Sequence, residues 1–274
     1  MASGLEYTFY VYHVPPRVRA RILSNNHHLV MDLIPQELID TIIDNVPESS
    51  LLSCSLVAKR WRRKSQRRAF DAISFSSEGK VNRWCTDIPH SSDGISSYVR
   101  HVNIEGISSW ATPALFSRML GSLSSLTTLL MHATEIPDEL PGCISRGEFG
   151  NGITALYLIL SSYTFATMTS MILSLPNLKD LRVEYCDVVP EEPLPTHPVT
   201  PQRRLLNSLE LYGWWGGVGE ALAESRLTFS RLSSDVGITG IMQLLLLSSE
   251  TLVELKLRSA WFLRVPRPSR DDSD

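Results

Sequence analysis

The sequence has few cysteines, and their spacing forms no recognisable site. Cys54, Cys85, Cys143 and Cys186 lie far apart, so no Cys-x-x-Cys pair exists, and no His-x-x-x-His motif accompanies them. This spacing argues against a zinc site of the common types and against a disulfide framework. We interpret the four side chains as reduced thiols of an intracellular protein, in the cytoplasm, the nucleus or both.

Excess charge and long apolar runs are also missing. Lys and Arg number 26 and Asp and Glu number 29, which gives a formal net charge of -3 at pH 7. This balance offers no general reason to bind nucleic acid or membrane surfaces. The purest leucine run, Leu244 to Leu247, falls far short of the ~20 apolar residues that a membrane-spanning helix needs. Residues 1–32 are interrupted by charges and prolines, so we expect a poorly ordered leader and no secretory signal.

Residues suited to catalysis are not grouped. The sequence has no triad order, no metal-ligand spacing and no obvious pair of carboxylates for acid–base chemistry. We therefore expect no enzyme activity, no cofactor and no metal. Two alternatives stay open: Cys186 as a nucleophile, although no His or Asp is placed to serve it, and Gly213–Gly219 as a nucleotide-binding loop. The loop departs from Gly-x-Gly-x-x-Gly, since Leu222 occupies the third glycine position.

Residues 33–70 contain the first recognisable pattern, three short helices. Pro35 suits a first helical turn, and we expect a helix from Glu37 to Val46 that ends at Pro47. A capping serine is expected to precede a second helix at Leu51. Because such short apolar helices cannot bury themselves alone, they form either a cap on the following domain or a surface for a partner.

The order of these residues resembles the F-box. The segment has an Ile-Pro-x-Glu-Leu start, an Ile-Ile-x-x-Val core, a proline, a Leu-Leu pair and Leu-Val-x-Lys-Arg-Trp. Departures are mild: Ile34 stands where Leu is usual, and Ala58 where Cys is frequent. The resemblance implies that residues 33–75 dock on a Skp-type adaptor of a cullin–RING ubiquitin ligase. It assigns core and adaptor contacts to Ile34, Pro35, Leu38, Ile42, Leu51, Leu52, Leu56, Val57 and Trp61.

A strongly basic run follows the apolar helices. Seven of the ten residues from Lys59 to Arg68 are Lys or Arg. A nucleic-acid or nuclear-import patch is conceivable, but no aromatic residue beyond Trp61 interleaves the charges. We interpret the run as a solvated helix face, which would also suit an acidic partner surface.

The rest of the chain repeats the template Leu-x-x-Leu-x-Leu with an apolar residue at each named position. The copies start at Val99, Leu126, Ile153, Leu178, Leu206 and Leu252, which are separated by 27, 27, 25, 28 and 46 residues. A weaker copy around Leu227 and Phe229 would fill the last gap and keep the period, since Leu227 lies 28 residues before Leu255. We expect strands near 99–105, 126–132, 153–159, 178–184, 206–212, 226–231 and 252–258.

One copy extends to the leucine-rich repeat consensus, Leu178-x-x-Leu181-x-Val183-x-x-Cys186-x-Val188. This resemblance implies that Cys186 fills the turn after the strand. The fold class that we predict is α+β, with an N-terminal three-helix F-box followed by an irregular leucine-rich-repeat α/β solenoid over 76–262. Five prolines in Pro190–Pro201 predict an extended segment, and 263–274 a disordered tail.

The residues between the leucines should line one face of the sheet and bind a target protein. These residues are Asn103, Glu105, His132, Tyr157, Arg182, Glu184, Glu210, Tyr212, Lys256 and Arg258. The predicted function is a substrate-recognition subunit of an SCF-type ubiquitin ligase, with a Skp-type adaptor and an unknown target protein as partners. An F-box/leucine-rich-repeat scaffold that acts outside a ligase is the alternative. We expect no membrane partner and no nucleic acid.

Overall fold

The computed structural model divides the chain into two compact units, Met1–Ser74 and Phe75–Asp274. The residues that the structure describes are 34–87, 94–107, 113–134, 140–146, 150–189, 204–213, 222–223, 226–235 and 238–257. The expected leader (1–32), proline-rich segment (Pro190–Pro201) and tail (263–274) lie outside these residues. The fold mixes helices and strands and begins with a helical region, as the sequence predicts.

The described residues of the first unit form three helices: α1 (Gln36–Asp44), α2 (Glu48–Val57) and α3 (Lys59–Ala69). Ile39 and Ile43 are four residues apart on one face of α1, and they are fully buried together with Leu51 of α2. This small core explains why the segment folds as a unit, because one apolar face of each helix covers the others. The partly buried side chains that pack against it are Ile34, Val46, Trp61 and Ala69.

Prolines, not serines, begin the first two helices. Pro35 and Pro47 occupy the N-cap positions, with φ of -53° and -56°, and no side chain caps either helix. The expected capping serine before Leu51 is therefore wrong, since α2 already starts at Glu48. The reason is that the proline ring fixes φ and has no N–H to leave unsatisfied at a helix start.

The second unit alternates strands with helices. Its helices are α4 (Glu78–Asp87), α5 (Pro113–Gly121), α6 (Leu140–Ser145), α7 (Phe165–Ser174) and α8 (Ile238–Leu247), with a 3₁₀ helix at Ile95–Tyr98. Strand β1 (Ala72–Phe75) spans the boundary between the units. The other strands are β2 (His101–Glu105), β3 (Thr128–His132), β4 (Ala155–Ile159), β5 (Ser162–Thr164), β6 (Asp180–Glu184), β7 (Asp187–Val189), β8 (Arg204–Tyr212), β9 (Leu227–Ser234) and β10 (Glu254–Leu257).

The strands of the second unit form a parallel sheet in chain order, β2-β3-β4-β6-β8-β9-β10. Strands β5 and β7 pair separately as a small parallel sheet. One row across the main sheet consists of Val102, Leu129, Leu156, Leu181, Leu209, Leu232 and Leu255. All of this row except Leu255 is buried. Side chains alternate along a strand, so the residues on either side of this row point to the opposite face of the sheet.

The weaker copy of the repeat pairs differently from the sequence prediction. Leu232, not Leu227, lies beside Leu209 on one side and Leu255 on the other. The spacing at this point is therefore 23 residues, not 28, and the same spacing separates Ser230 from its hydrogen-bond partner Asn207. Pairs on both sides of Asn207, among them Leu206 with Phe229 and Leu209 with Leu232, fix the register and leave Leu227 at the start of β9.

The helices cover the sheet with apolar side chains. Met168 and Ile172 of α7 are fully buried, and Thr164 caps this helix by accepting a hydrogen bond from the Thr167 amide at 3.1 Å. In α8 the buried residues include Ile241 and Leu244, three residues apart. Met242 of the same helix is exposed.

Candidate protein-interaction surfaces

The first unit exposes apolar side chains although it has its own core. Leu38 and Ile42 share one face of α1, and Leu52 and Leu56 share one face of α2, with Val57 at its end. These five residues, which we call the apolar surface, are between 41% and 72% exposed. Exposed apolar groups in such number on so small a unit are typical of an interaction site.

The other four residues that the F-box resemblance assigns have different environments. Leu51 is fully buried, so it is a core residue and cannot contact an adaptor directly. Ile34 and Trp61 pack against the core while remaining partly accessible. Pro35 is exposed at the start of α1. Sequence alone could not separate these roles, because Leu51 and Leu52 are adjacent and chemically identical.

Three cations of α3 fasten this helix to α1 and to the residues after it. Lys64 Nζ lies 3.0 Å from a carboxylate oxygen of Asp44, and Arg60 Nε donates to Gln36 Oε1 at 3.3 Å. Arg68 Nη1 donates to the backbone carbonyl of Ile43. These three residues lie four positions apart, so they form one stripe along α3, and this stripe stabilises the packing of α3 against α1.

The sheet of the second unit brings the predicted target-binding residues together in two adjacent rows. The first row contains Asn103, Leu130, Tyr157, Arg182, Glu210, Ser233 and Lys256, and the second contains Glu105, His132, Ile159, Glu184 and Tyr212. We call these residues the sheet face. Arg258, the last predicted member, lies outside the described residues.

Arg182 lies at the centre of the sheet face. Its Nη2 atom is 2.6 Å from Glu184 Oε2, its Nη1 atom is 3.6 Å from Glu210 Oε2, and its guanidinium carbon lies 5.1 Å from the ring centroid of Tyr212. Burial lowers the pKa of Arg182, but the hydrogen bond and charges of the two glutamates outweigh burial and raise it. The side chain is thus held as a cation, with Tyr212 fixed in turn by a 3.0 Å hydrogen bond to Ser233.

Side chains also pair at both ends of the sheet. His132 Nδ1 lies 3.6 Å from Glu105 Oε1, and Lys256 Nζ lies 2.7 Å from Glu254 Oε1. The hydrogen bond from Lys256, more than its charge, lowers the pKa of the Glu254 carboxyl. The pairs are solvent-exposed, so they contribute shape and specificity more than stability.

A third row of the same face escaped the sequence analysis. It contains His101, Thr128, Ala155, Asp180, Ser208, Arg231 and Glu254, and in it Ser208 Oγ donates to Asp180 Oδ1 at 2.6 Å. Each member lies two residues before a member of the first row. The period of two along a strand could have identified this row.

The chain turns in a left-handed conformation directly after five of the strands. The residues at positive φ are Gly106, Ala133, Leu160, Tyr185 and Gly213, with φ between 48° and 86°. We call them the turn row. The first four amides donate to a carbonyl of the next strand, at 2.8 to 2.9 Å. The hydrogen-bond ladder of the sheet thus extends one residue into each turn.

The last amide of the turn row, that of Gly213, bonds to Asp235 Oδ1 at 2.8 Å. A Cβ at Gly213 would lie 2.7 Å from Cε1 of Tyr185, so glycine is required there for space as well as for φ. This amide of the suggested nucleotide loop is therefore occupied by a side chain of the protein. The rest of that loop, 214–219, lies outside the described residues.

Buried polar side chains follow the turn row and form a second array. Thr134 Oγ1 lies 3.1 Å from the Ile104 carbonyl, and its amide donates to Ser161 Oγ at 3.2 Å. Cys186, fully buried, lies with Sγ 3.4 Å from the carbonyl of Leu158. Cys186 therefore has hydrogen-bonding surroundings within the turn. Thr134 and Ser161, which the sequence analysis missed, precede it and lie 27 residues apart.

The cysteines and the metal-binding residue types form no further site among the described residues. All four cysteines are free, and three of them are buried. No group of three or more His, Cys, Asp or Glu side chains among the described residues is arranged to hold a metal ion. Within the described part of the chain, every helix is too short or too polar to cross a bilayer.

Comparison with known families gives the type of the helical unit. Residues 31–72 match the model of the F-box domain. No curated protein matches the chain. This match supports the interpretation of the chain as an F-box protein. It thereby suggests a role as an adaptor of an SCF-type ubiquitin ligase. F-box domains generally bind Skp-type adaptors in cullin–RING ligases, and F-box proteins are generally substrate adaptors rather than enzymes.

Proposed function

We propose that this protein is the substrate-recognition subunit of an SCF-type ubiquitin ligase. The observation that carries the proposal is the F-box match over 31–72 together with apolar side chains that the unit leaves exposed. The F-box, which we place at 33–75, docks the Skp-type adaptor through the apolar surface. Leu38, Ile42, Leu52, Leu56 and Val57 supply this contact, while Leu51 supports it from the core.

Burial of the apolar surface supports docking energetically. Removing a leucine side chain from water contributes up to about 1.5–3 kcal/mol, and these side chains are about half exposed in the free unit. Several of them buried together would therefore contribute a few kcal/mol before the costs of association. The same residues contribute little to the fold, so the surface and the core have separate functions.

The second unit serves as the target-binding domain, an irregular leucine-rich-repeat solenoid over 76–262. Three features support this assignment: the parallel strands lie in chain order, the apolar template recurs at 25 to 28 residues over most of its length, and Thr134, Ser161 and Cys186 occupy equivalent buried turn positions. Such arrays present an extended surface on one face of the sheet.

The sheet face binds the target protein. Its centre offers a fixed cation, Arg182, beside the aromatic rings of Tyr157 and Tyr212. Tyr and Arg are enriched among the residues that dominate protein interfaces. The ligase chemistry would be supplied in trans, because holding a target near a ubiquitin-charged enzyme raises the effective concentration of the reacting groups.

Adaptor capture by variants with the fold preserved tests the docking step. The double variant Leu52→Asp, Leu56→Asp places charges on the apolar surface without entering the core. We expect this variant to lose a purified Skp-type adaptor in a pull-down. The matched control, Leu246→Asp with Val253→Asp, alters side chains that are 67% and 86% exposed in the second unit and should retain the adaptor.

Retention of the adaptor by the Leu52 and Leu56 variant would refute docking through this surface. Ligase function requires a second measurement, transfer of ubiquitin to a captured partner in a reconstituted complex. Adaptor binding without any such transfer would instead favour the scaffold that acts outside a ligase.

A further inference from the structure

Helix α3 separates its seven cations into two groups. Arg60, Lys64 and Arg68 face α1 and the residues after it, where they bind Gln36, Asp44 and the Ile43 carbonyl as described above. The helix contains no acidic residue that could balance the remaining charges internally. Four cations are left: Lys59, Arg62, Arg63 and Arg67.

These four side chains, which we call the free cationic face, are all exposed. At 100° per residue they lie within one arc of the helix, opposite Trp61 and the buried Ser65. Within the described part of the chain they form no hydrogen bond or ion pair.

Keeping this face has a local cost. Lys59 and Arg63, and likewise Arg63 and Arg67, are like charges four residues apart, an arrangement that destabilises a helix. Among the described residues no contact compensates for this repulsion, whereas Arg60, Lys64 and Arg68 show that the same helix can place cations where they bind. A partner that neutralises the face would remove the repulsion.

We propose that the free cationic face binds an acidic segment of a partner protein. Successive cations at positions 59, 63 and 67 rise by about 6 Å per step along the helix axis. Side chains on one side of an extended peptide are spaced by about 6.6 Å. A segment with a carboxylate at every second residue thus matches the spacing along the whole face, and the three arginine guanidinium groups suit bidentate carboxylate binding.

Two observations favour an acidic protein segment over nucleic acid. The face carries no aromatic side chain on which bases could stack, since Trp61 lies on the opposite side of the helix and packs against the core. The chain as a whole has a formal net charge of -3, which opposes approach to the dense charge of a phosphate backbone. The surface is therefore local and suited to a short anionic stretch.

Fluorescence anisotropy with a synthetic peptide of alternating glutamate and serine tests the proposal on the full chain. The variant Arg62→Gln, Arg63→Gln, Arg67→Gln should bind this peptide about tenfold more weakly, the effect of three exposed ion pairs of moderate strength. Wild-type binding should also weaken from low to physiological salt, because these charges are screened. A peptide of alternating glutamine and serine should not bind.

The matched control removes three exposed cations elsewhere, in Arg83→Gln, Lys179→Gln, Arg226→Gln. It should bind the acidic peptide as tightly as wild type, and thermal melting should show that both triple variants remain folded. Equal loss in both variants, no binding by wild type, or tighter binding of a DNA duplex than of the acidic peptide would each overturn the proposal. Since the ligand is synthetic, the result is independent of the proposed ligase function.

Discussion

Replacing Leu51 with alanine should unfold the F-box unit selectively. Leu51 is one of three fully buried residues in its core, with Ile39 and Ile43 as neighbours. Truncating a buried leucine costs about 2–5 kcal/mol, because the lost transfer free energy adds to that of the cavity left behind. A unit of this size has little stability in reserve. A loss of about 3 kcal/mol would raise its unfolded fraction more than about a hundredfold.

Leu56→Ala is the matched control, since the same atoms are removed from a side chain that is 72% exposed. Its effect on the free energy of unfolding should stay within about 0.5 kcal/mol. Hydrogen exchange followed by mass spectrometry separates the two variants. Peptides from α1 to α3 should lose protection in Leu51→Ala alone, and peptides from β3, β4 and β6 should remain protected in both.

Two outcomes would refute the assignment of these leucines. Equal loss of protection in Leu51→Ala and Leu56→Ala would show that α2 does not bury the face that the structure gives it. Loss of protection in β3, β4 and β6 together with α1 to α3 would show that the two units unfold as one.

Two further predictions concern the second unit. Thr134→Val preserves shape but removes the hydroxyl next to the Ile104 carbonyl, so the free energy of unfolding in denaturant should fall by about 1–3 kcal/mol. Thr134→Ser should recover part of this loss, and unchanged stability in Thr134→Val would contradict this role. Burial raises the pKa of the Cys85 thiol, and the hydrogen bond and charge of Arg118 offset this only in part. The Cys85 thiolate should therefore form only at higher pH than that of an ordinary cysteine, and iodoacetamide should label Cys85 more slowly than the partly exposed Cys54 near neutral pH; equal rates would contradict the assignment.

The F-box domain was predictable because its signature is local. Pro35, Pro47 and the apolar residues between them follow one another in a short segment, and the F-box match over 31–72 confirms the domain type. Which leucines remain accessible was not predictable. Leu51 and Leu52 differ by 100° around α2, and only the position of α1 decides which of them is buried.

The second unit shows a different limit of prediction from sequence. In β9 both Leu227 and Leu232 fit an alternation of apolar residues. An even spacing of the repeat copies favours Leu227, which does not lie in the buried row. Pairing with β8 places Leu232 in the buried row, and Ser248 Oγ accepts a hydrogen bond from the Phe229 amide at 3.3 Å. Such contacts join residues far apart in sequence, which a repeating template does not encode.

The buried polar residues of the turns could not be predicted from the sequence for a related reason. Thr134, Ser161 and Cys186 have equivalent surroundings, yet only the cysteine agrees with a known consensus. What the three share is a side chain small enough for the turn and able to hydrogen-bond to a backbone carbonyl. That requirement becomes visible only when the carbonyls are in place.

The turn row has a consequence for how this protein can be altered. Gly106, Ala133, Leu160 and Tyr185 connect each strand to the next before the chain leaves the sheet, so strand register is set at that point. Strand register at these four turns therefore does not depend on how many residues follow before the next strand, which is why spacings of 25 and 28 residues coexist. Reporter peptides inserted between β3 and α6 should leave the sheet face intact, which makes these connections suitable positions for labels that monitor target binding.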